Sequence, residues 1–228
     1  LAYATSKSPT GPFKYCGYIV DNGVDYPGGN NHGSICCING QWYIFYHRMT
    51  NRTITSRRGC VEKIEILPDG TIPTVEMTSL GFEDSLLPYR ITPAEIACVL
   101  KNGPYVTEKN VFERVLTNIK DGSIMGYKYF DFGDDDSSKP MEFAAEINGM
   151  GCDATLHILI DGEDGEETGT CTIGRDNGVV KTVVKNITGR HSVFFKVTTG
   201  YGAKDIGWMS GYFEGRTLFE LKNFVFMK

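Results

Sequence analysis

The chain has 228 residues, of which 41% are hydrophobic and 22% charged, and its formal net charge is −5. This length suffices for one large or two ordinary domains with buried cores. The acidic balance provides no basic face for nucleic acid or for an anionic membrane, and no apolar run is long enough to cross a bilayer as a helix. Nucleic acids and membranes are therefore excluded as predicted partners.

The seven cysteines are an odd number and contain no Cys-x-x-Cys pair. We therefore predict neither a disulfide framework nor a zinc site, but free and mostly buried thiols. Unpaired thiols favour the cytoplasm, and an extracellular location stays open if a signal peptide lies on a segment before Leu1. Because residues 1–6 read as a strand entered midway, we expect this chain to be the later part of a longer protein.

Residues 1–88 alternate short apolar stretches with turn clusters. Strands are predicted at residues 13–20 and 59–66, a loop at 21–29, and a tight turn at Pro-Asp-Gly 68–70. No helical run of convincing length is present. Short strands at this spacing predict a sandwich, a barrel or a propeller.

A hairpin is predicted around residues 31–48. The segment NHGSI (31–35) leads into an apolar strand, Asn-Gly follows at 39–40, and the aromatic strand QWYIFYHR (41–48) returns. Asn-Gly between apolar runs is the strongest short-range hairpin signal. The hairpin would bring His32 close to the polar end of the second strand, and the structural alternative is a satisfied histidine at a strand entry. We expect Trp42 in the core.

The second half of the chain also has a β pattern. Residues 84–94 carry Pro88 and Pro93 and predict a boundary between domains 1–88 and 89–228. At least six strands follow, and residues 161–169 form an acidic turn. One β-sandwich accounts for this number of strands. The predicted strands cover residues 123–132, 141–147, 154–160, 179–184, 192–198 and 218–227.

Paired carboxylates are the groups that a glycosidase needs on either side of the scissile bond. Glu62 and Glu65 are predicted on opposite faces of one strand, and Asp69 belongs to a turn. Asp25, in the loop before His32, is the one carboxylate that we would test. Spacing alone predicts no catalytic pair.

Four motifs in one order resemble glycoside hydrolase family 43, and most closely its xylan-active β-xylosidases and α-L-arabinofuranosidases. They are YATSKSPTGPF (3–13), NHGS (31–34), WYIFYHR (42–48), and RRG (57–59) followed by LPDGTI (67–72). The resemblance covers residues 1–88. It implies an all-β fold, namely about two blades of a five-bladed β-propeller.

The resemblance also implies an inverting enzyme whose catalytic base, modulating aspartate and general acid lie on earlier blades. No catalytic residue is then expected in this chain. His32 matches a histidine on the propeller axis that holds a metal ion, for which Ca²⁺ is the candidate, or its water shell. Arg57 or Arg58 resembles an arginine that reaches the substrate, and the choice between the two stays open.

Residues 95–228 are similar to a family 6 carbohydrate-binding module, a β-sandwich of the jelly-roll type. The similarity rests on NIKDGSI (118–124), FDFG (130–133), GRHSVFF (189–195) and LFELKNF (218–224). Where such modules carry a stacking tryptophan, this chain has DNGVV (176–180). Glu95 matches one end of the module's calcium site, but Lys222 stands where an acid is expected. Asn223 is the candidate carbohydrate contact, and a non-binding sandwich is the alternative.

Two functional hypotheses follow. In the first, the chain is the C-terminal portion of a glycosidase that acts on xylan or arabinoxylan side chains or xylo-oligosaccharides. Its partner is then the N-terminal part of the same enzyme, which carries the catalytic carboxylates, and the chain alone is inactive. In the second, the chain is a non-catalytic carbohydrate-binding or interaction module, complete as written, with an exposed aromatic such as Trp208 as its stacking platform.

Overall fold

The computed structural model describes residues 1–23, 31–50, 57–134, 139–200 and 215–228. It divides into two compact units, Leu1–Asp84 and Ser85–Lys228, whereas the sequence indicated a division after residue 88. The described residues form β-strands and one short 3-10 turn, Ala94–Ile96, which confirms the all-β prediction. No helix in these ranges has the length and hydrophobicity that crossing a membrane requires.

The first unit contains two small antiparallel sheets. Strands β1 (Ala2–Thr5) and β2 (Lys14–Tyr18) form a pair, and β3 (Ser34–Ile38), β4 (Gln41–Arg48) and β5 (Arg58–Ile64) form a three-stranded sheet. One core joins them, and the number of propeller blades that they represent stays a prediction. The buried members of this core are Ile19, Val20, Ile44, Tyr46, Ile64, Ile72 and Met77.

The β3–β4 hairpin confirms the Asn-Gly prediction. Asn39 and Gly40 have φ angles of 52° and 86°, the left-handed region that the two central residues of a tight hairpin turn require. Ile38 pairs with Gln41 directly across this turn. The turn thereby fixes the register of the whole sheet.

Strand β3 lies at the edge of its sheet and is exposed along its whole length. Four of its five residues are apolar, so both of its faces present apolar side chains. Trp42, which pairs with Cys37, is 38% exposed. Our placement of Trp42 in the core was therefore wrong, because no described strand covers this edge.

The second unit is a sandwich of two antiparallel sheets. Its strands are β6 (Thr92–Pro93), β7 (Val99–Lys101), β8 (Tyr105–Glu108), β9 (Arg114–Ile119), β10 (Ile124–Asp131), β11 (Met141–Gly149), β12 (Ala154–Ile160), β13 (Glu166–Ile173), β14 (Gly178–Val184), β15 (Arg190–Thr198) and β16 (Phe219–Met227). The five-stranded sheet has the order β13-β12-β15-β10-β7, and the six-stranded sheet has the order β14-β11-β16-β9-β8 with β6 beside β16.

Aromatic rings fill the space between the two sheets. Phe224 on β16 meets Tyr127 on β10 and Phe195 on β15, each at a ring-centroid distance of 4.8 Å. Phe143 on β11 meets Phe195 at 5.5 Å. These edge-to-face contacts cross from one sheet to the other, and burial of such rings dominates the stability of a core of this kind.

Glu220 is a charged residue inside the six-stranded sheet. Its neighbours Phe219 and Leu221 point into the core, and its own side chain is only 3% exposed on the opposite face. It accepts hydrogen bonds from Lys109 Nζ at 2.6 Å, Thr117 Oγ1 at 3.0 Å and Asn148 Nδ2 at 3.0 Å. Burial alone would raise the pKa of Glu220, but these three donors outweigh it and lower the pKa.

All seven cysteines are free, as predicted. Cys98, Cys152 and Cys171 are buried, but Cys16, Cys36 and Cys37 are exposed. The expectation of mostly buried thiols is therefore only partly met. Two of the exposed thiols lie on the uncovered edge strand β3.

We expect Phe224→Ala to lower the free energy of unfolding of the second unit by about 3–5 kcal/mol, because it leaves a cavity among several rings. Phe112→Ala is the matched control: Phe112 is 95% exposed, and its loss should change stability by less than about 0.5 kcal/mol. Urea unfolding followed by near-ultraviolet circular dichroism measures both. Equal losses for the two variants would contradict this description of the core.

We expect Glu220→Gln to destabilise the second unit at pH 7 by about 1–3 kcal/mol, since a buried charged hydrogen-bond network is broken. The pKa of Glu220 is below its ordinary value of 4.5, so its stabilisation is present above that pH and is lost as the pH falls through the folded pKa. The wild type and the variant should therefore converge in acid. Glu142, an exposed residue of β11, gives the control Glu142→Gln, for which the denaturation curves of wild type and variant should coincide at every pH.

Candidate functional site

The predicted meeting of His32 with the end of β4 is present in the structure. The rings of His32 and His47 are stacked, with centroids 5.6 Å apart and planes inclined by 28°. The backbone N–H of His32 donates to Nδ1 of His47 at 3.3 Å. His47 is 9% exposed, whereas His32 is exposed. The pair thus presents one accessible imidazole backed by a buried one.

Local sequence explains why this approach is so close. A side chain at position 33 would collide with the carbonyl oxygen of Phe45, so Gly33 allows the chain after His32 to lie against β4. Asn31 Oδ1 accepts the His47 N–H at 3.3 Å, and Asn22 Nδ2 donates to the His47 carbonyl at 3.1 Å. No local sequence pattern reveals the role of Asn22, because its contact joins residues 25 positions apart in the chain.

The strand register separates the two candidate arginines. Arg58 pairs with Arg48, and Gly59 pairs with His47, so the Arg58 side chain lies on the sheet face opposite to that of His47. Arg57 directly precedes β5 and lies outside its ladder; the same alternation, extended by one residue, would place it on the His47 face. Arg57 is exposed and Arg58 is half-buried.

The face that carries Arg58 is occupied by a buried polar cluster. Glu62 accepts hydrogen bonds from the Tyr46 hydroxyl at 3.1 Å and from the Thr78 N–H and hydroxyl at 2.8 and 2.7 Å. Burial raises the pKa of Glu62, of Tyr46, and of Cys60, whose pKa reaches about 11. Because its donors all lie inside the protein, Glu62 is a structural carboxyl group. Glu65 was predicted on the same strand, but β5 ends at Ile64, and Glu65 follows the strand and is exposed.

The described residues around His32 fit a metal ion only in part. Within the described ranges, no three His, Cys, Asp or Glu side chains converge as a metal site requires. The Asn22 Oδ1 atom is buried and has no hydrogen-bond partner among the described residues, and such an oxygen suits a hard cation or its water. His32 and this amide oxygen are the described groups that would contribute to such a site. Ca²⁺ near His32 stays a prediction.

In the sandwich, Asn223 is held within the sheet. Its side-chain amide donates to Glu146 Oε2 at 2.8 Å, and Lys222 Nζ lies 2.7 Å from Glu146 Oε1 and 3.1 Å from Glu113 Oε1. Glu95, the match to a calcium ligand, has Arg114 at 3.9 Å. Acidic groups near the first and last strands thus face side-chain cations here. These residues do not fit a calcium site, and the role of Asn223 in carbohydrate binding stays a prediction.

Two predicted residues lie outside the part of the chain that the structure describes. They are Asp25, the carboxylate that we would test, and Trp208, the expected exposed aromatic.

Comparison with known proteins bears on this site and fold. No family model matches the chain. A xylosidase/arabinosidase from Thermoclostridium stercorarium is 48% identical over 165 residues, which cover 58% of this chain and 35% of that protein. The chain spans between 35% and 43% of the length of three curated relatives that it matches.

Solved structures point the same way. The structure of a glycoside hydrolase family 43 arabinoxylan arabinofuranohydrolase from Bacillus subtilis matches all of this chain over 47% of its own length. The two are 25% identical, and the TM-score is 0.58. A family 6 carbohydrate-binding module from Clostridium cellulolyticum matches 63% of this chain over its full length, at 20% identity and a TM-score of 0.51. The chain is thus similar in sequence to a xylosidase/arabinosidase and in sequence and fold to a family 43 arabinoxylan arabinofuranohydrolase, and its β-sandwich has the fold of a family 6 carbohydrate-binding module.

Proposed function

We propose that this chain is the C-terminal portion of an inverting glycosidase that acts on xylan or arabinoxylan side chains or on xylo-oligosaccharides, as a β-xylosidase or an α-L-arabinofuranosidase. The observation that carries the proposal is the 48% identity to a protein named xylosidase/arabinosidase. The first unit would then be about two blades of a five-bladed propeller. The catalytic carboxylates would lie on an N-terminal segment outside this chain.

The exposed edge strand β3 supports a missing neighbour. A strand with apolar side chains on both faces is stable when both faces and its free backbone edge are covered. All of β3 is exposed, and a groove of about 450 Å³ opens beside it, lined by Leu1, Tyr3, Ile19, Ile35, Ile44 and Ile72 among others. Strands of an N-terminal segment would fill this groove and pair with β3.

The environment of Glu62 also supports the proposal that the catalytic carboxylates lie on the N-terminal segment. Glu62 is buried among three donors, and the strand register places it on the sheet face opposite to that of His47. In the whole enzyme, a carboxylate base would activate water, and an acid would protonate the leaving oxygen, with inversion at the anomeric carbon. Both groups would come from the N-terminal segment.

Within that enzyme, this chain would supply binding groups. Arg57, on the His47 face, would donate hydrogen bonds to sugar hydroxyls, and Arg58 would support the buried face around Glu62. His32 would hold Ca²⁺ or a water molecule of its shell, and the ion would balance the nearby carboxylates. A saccharide derived from xylan or arabinoxylan is the proposed ligand.

The second candidate function is a non-catalytic carbohydrate-binding or interaction module. The fold of the second unit favours it, because the matching module from Clostridium cellulolyticum was solved with xylose. Against it stands the segment at residues 176–180, which lacks an aromatic side chain. Tight binding of xylo-oligosaccharides by the pure chain, without any gain on adding an N-terminal segment, would favour this alternative.

We expect the chain alone not to hydrolyse aryl arabinofuranosides or xylosides, and to do so once joined to the segment encoded before residue 1. In the joined enzyme, Arg57→Ala should lower kcat/KM by about 10- to 100-fold, the loss of one charge-assisted hydrogen bond. Arg58→Ala, on the opposite face, should change thermal stability more than KM. Hydrolysis by the pure chain would overturn the proposal.

We expect Cys36 and Cys37 to react rapidly with a maleimide in the chain alone and slowly once the N-terminal segment is joined, because that segment covers β3. Mass spectrometry after peptide digestion reads each thiol separately. The buried Cys152 is the internal control and should stay unreactive in both samples. Unchanged reactivity at Cys36 and Cys37 would contradict the proposed covering of the β3 edge.

A further inference from the structure

We infer that His47 is a positioning residue for His32, which it holds in place through its Nδ1 atom. The functional weight of this inference rests on the proposed role of His32 in the sugar site. The geometry on which it stands belongs to the first unit and does not depend on that role.

The contact assigns one tautomer to His47. Its Nδ1 accepts the backbone N–H of His32 at 3.3 Å. A neutral imidazole that accepts at Nδ1 carries its proton on Nε2. The stacked rings, 5.6 Å apart, place the His32 imidazole over the ring that binds its backbone, so one side chain fixes both the position and the inclination of the other.

The backbone of His47 is itself held by two asparagine side chains and by strand pairing. Asn31 Oδ1 accepts its N–H at 3.3 Å, and Asn22 Nδ2 donates to its carbonyl at 3.1 Å. On one side of β4, Gly59 of β5 pairs with His47. On the other side, Ser34 of β3 pairs with Phe45, two residues before His47. The Asn31 and His32 contacts are reciprocal: the side chain of residue 31 binds the backbone of residue 47, and the side chain of residue 47 binds the backbone of residue 32. These two hydrogen bonds fix the residues just before β3 against the end of β4.

The link explains why a buried histidine stands at this position rather than an apolar residue. His47 is 9% exposed, and a buried polar ring is retained at little cost only where its hydrogen-bonding atoms are used. Without an acceptor at Nδ1, the His32 N–H would lose its partner, and the exposed imidazole of His32 would gain freedom. Ligand-binding side chains lose effectiveness when their supporting contacts are removed.

The experiment uses the full 228-residue chain labelled with ¹⁵N-histidine, in which long-range ¹H–¹⁵N spectra report the tautomer of each histidine. His47→Asn places a carbonyl oxygen near the position of Nδ1 and keeps an acceptor, whereas His47→Phe keeps a ring and removes it. We expect an unprotonated Nδ1 at His47 in the wild type. We expect amide hydrogen exchange at His32 to accelerate on the order of tenfold in His47→Phe, and to stay close to the wild-type rate in His47→Asn.

Mixed tautomers at His47, or equal His32 exchange in the wild type and His47→Phe, would overturn the inference. Neither measurement requires hydrolysis. If the tautomer and the rescue by asparagine are found but the joined enzyme shows no glycosidase activity, the proposed function fails and the positioning role stands. If activity is found and the exchange rates do not differ, the proposed function stands and the positioning role fails.

Discussion

The register between β4 and its two neighbours is the constraint on which the candidate site depends. Ladder pairing on both sides holds β4, and alternation along the strand sends His47 to one face and Arg48 to the other. A shift by one residue would exchange these faces and bring the Tyr46–Glu62 cluster out of the core. The Asn39–Gly40 turn, with both φ angles positive, favours a single register.

The two units bury a carboxyl group in a sheet with opposite electrostatic results. Glu62 and Glu220 each accept three strong hydrogen bonds. At Glu62 the donors are neutral, and burial raises the pKa more than these hydrogen bonds lower it. At Glu220 one donor is the Lys109 ammonium, and the hydrogen bonds favour the charged form more than burial disfavours it, so the pKa falls. The Lys109 ammonium at hydrogen-bond distance is thus one cause of the lowered pKa of Glu220.

Much of the fold could be predicted because it is encoded locally. The β3–β4 hairpin follows from one dipeptide between apolar runs, and β12 has the predicted bounds Ala154–Ile160. Strands β7 and β8 were missed, since three or four residues are too few to show alternation. Strands β9 and β13 were missed as well, and β13 begins at Glu166, inside the residues predicted as an acidic turn. The Glu220 network joins Lys109 to a residue more than a hundred positions away, and no local pattern reveals such a contact.

The candidate site could be predicted only in outline for the same reason. A histidine near a strand end is visible in the sequence, but the hydrogen bond from Asn22 to the His47 carbonyl depends on tertiary contact. The choice between Arg57 and Arg58 depends on the residue at which β5 begins. A sequence pattern defines such a strand boundary only to within a few residues. One residue of uncertainty is enough to exchange the two faces.

The exposed edge strand β3 has a consequence for the chain as a physical sample. Its free N–H and C=O groups and its apolar side chains form a template on which another β3 strand can add in antiparallel fashion. Self-association through this edge would rise with concentration and compete with any natural neighbour. Two chains joined in this way would hide Ile35 and Ile38 from water, so dilute solution or a charged substitution on β3 is the condition under which the single chain persists.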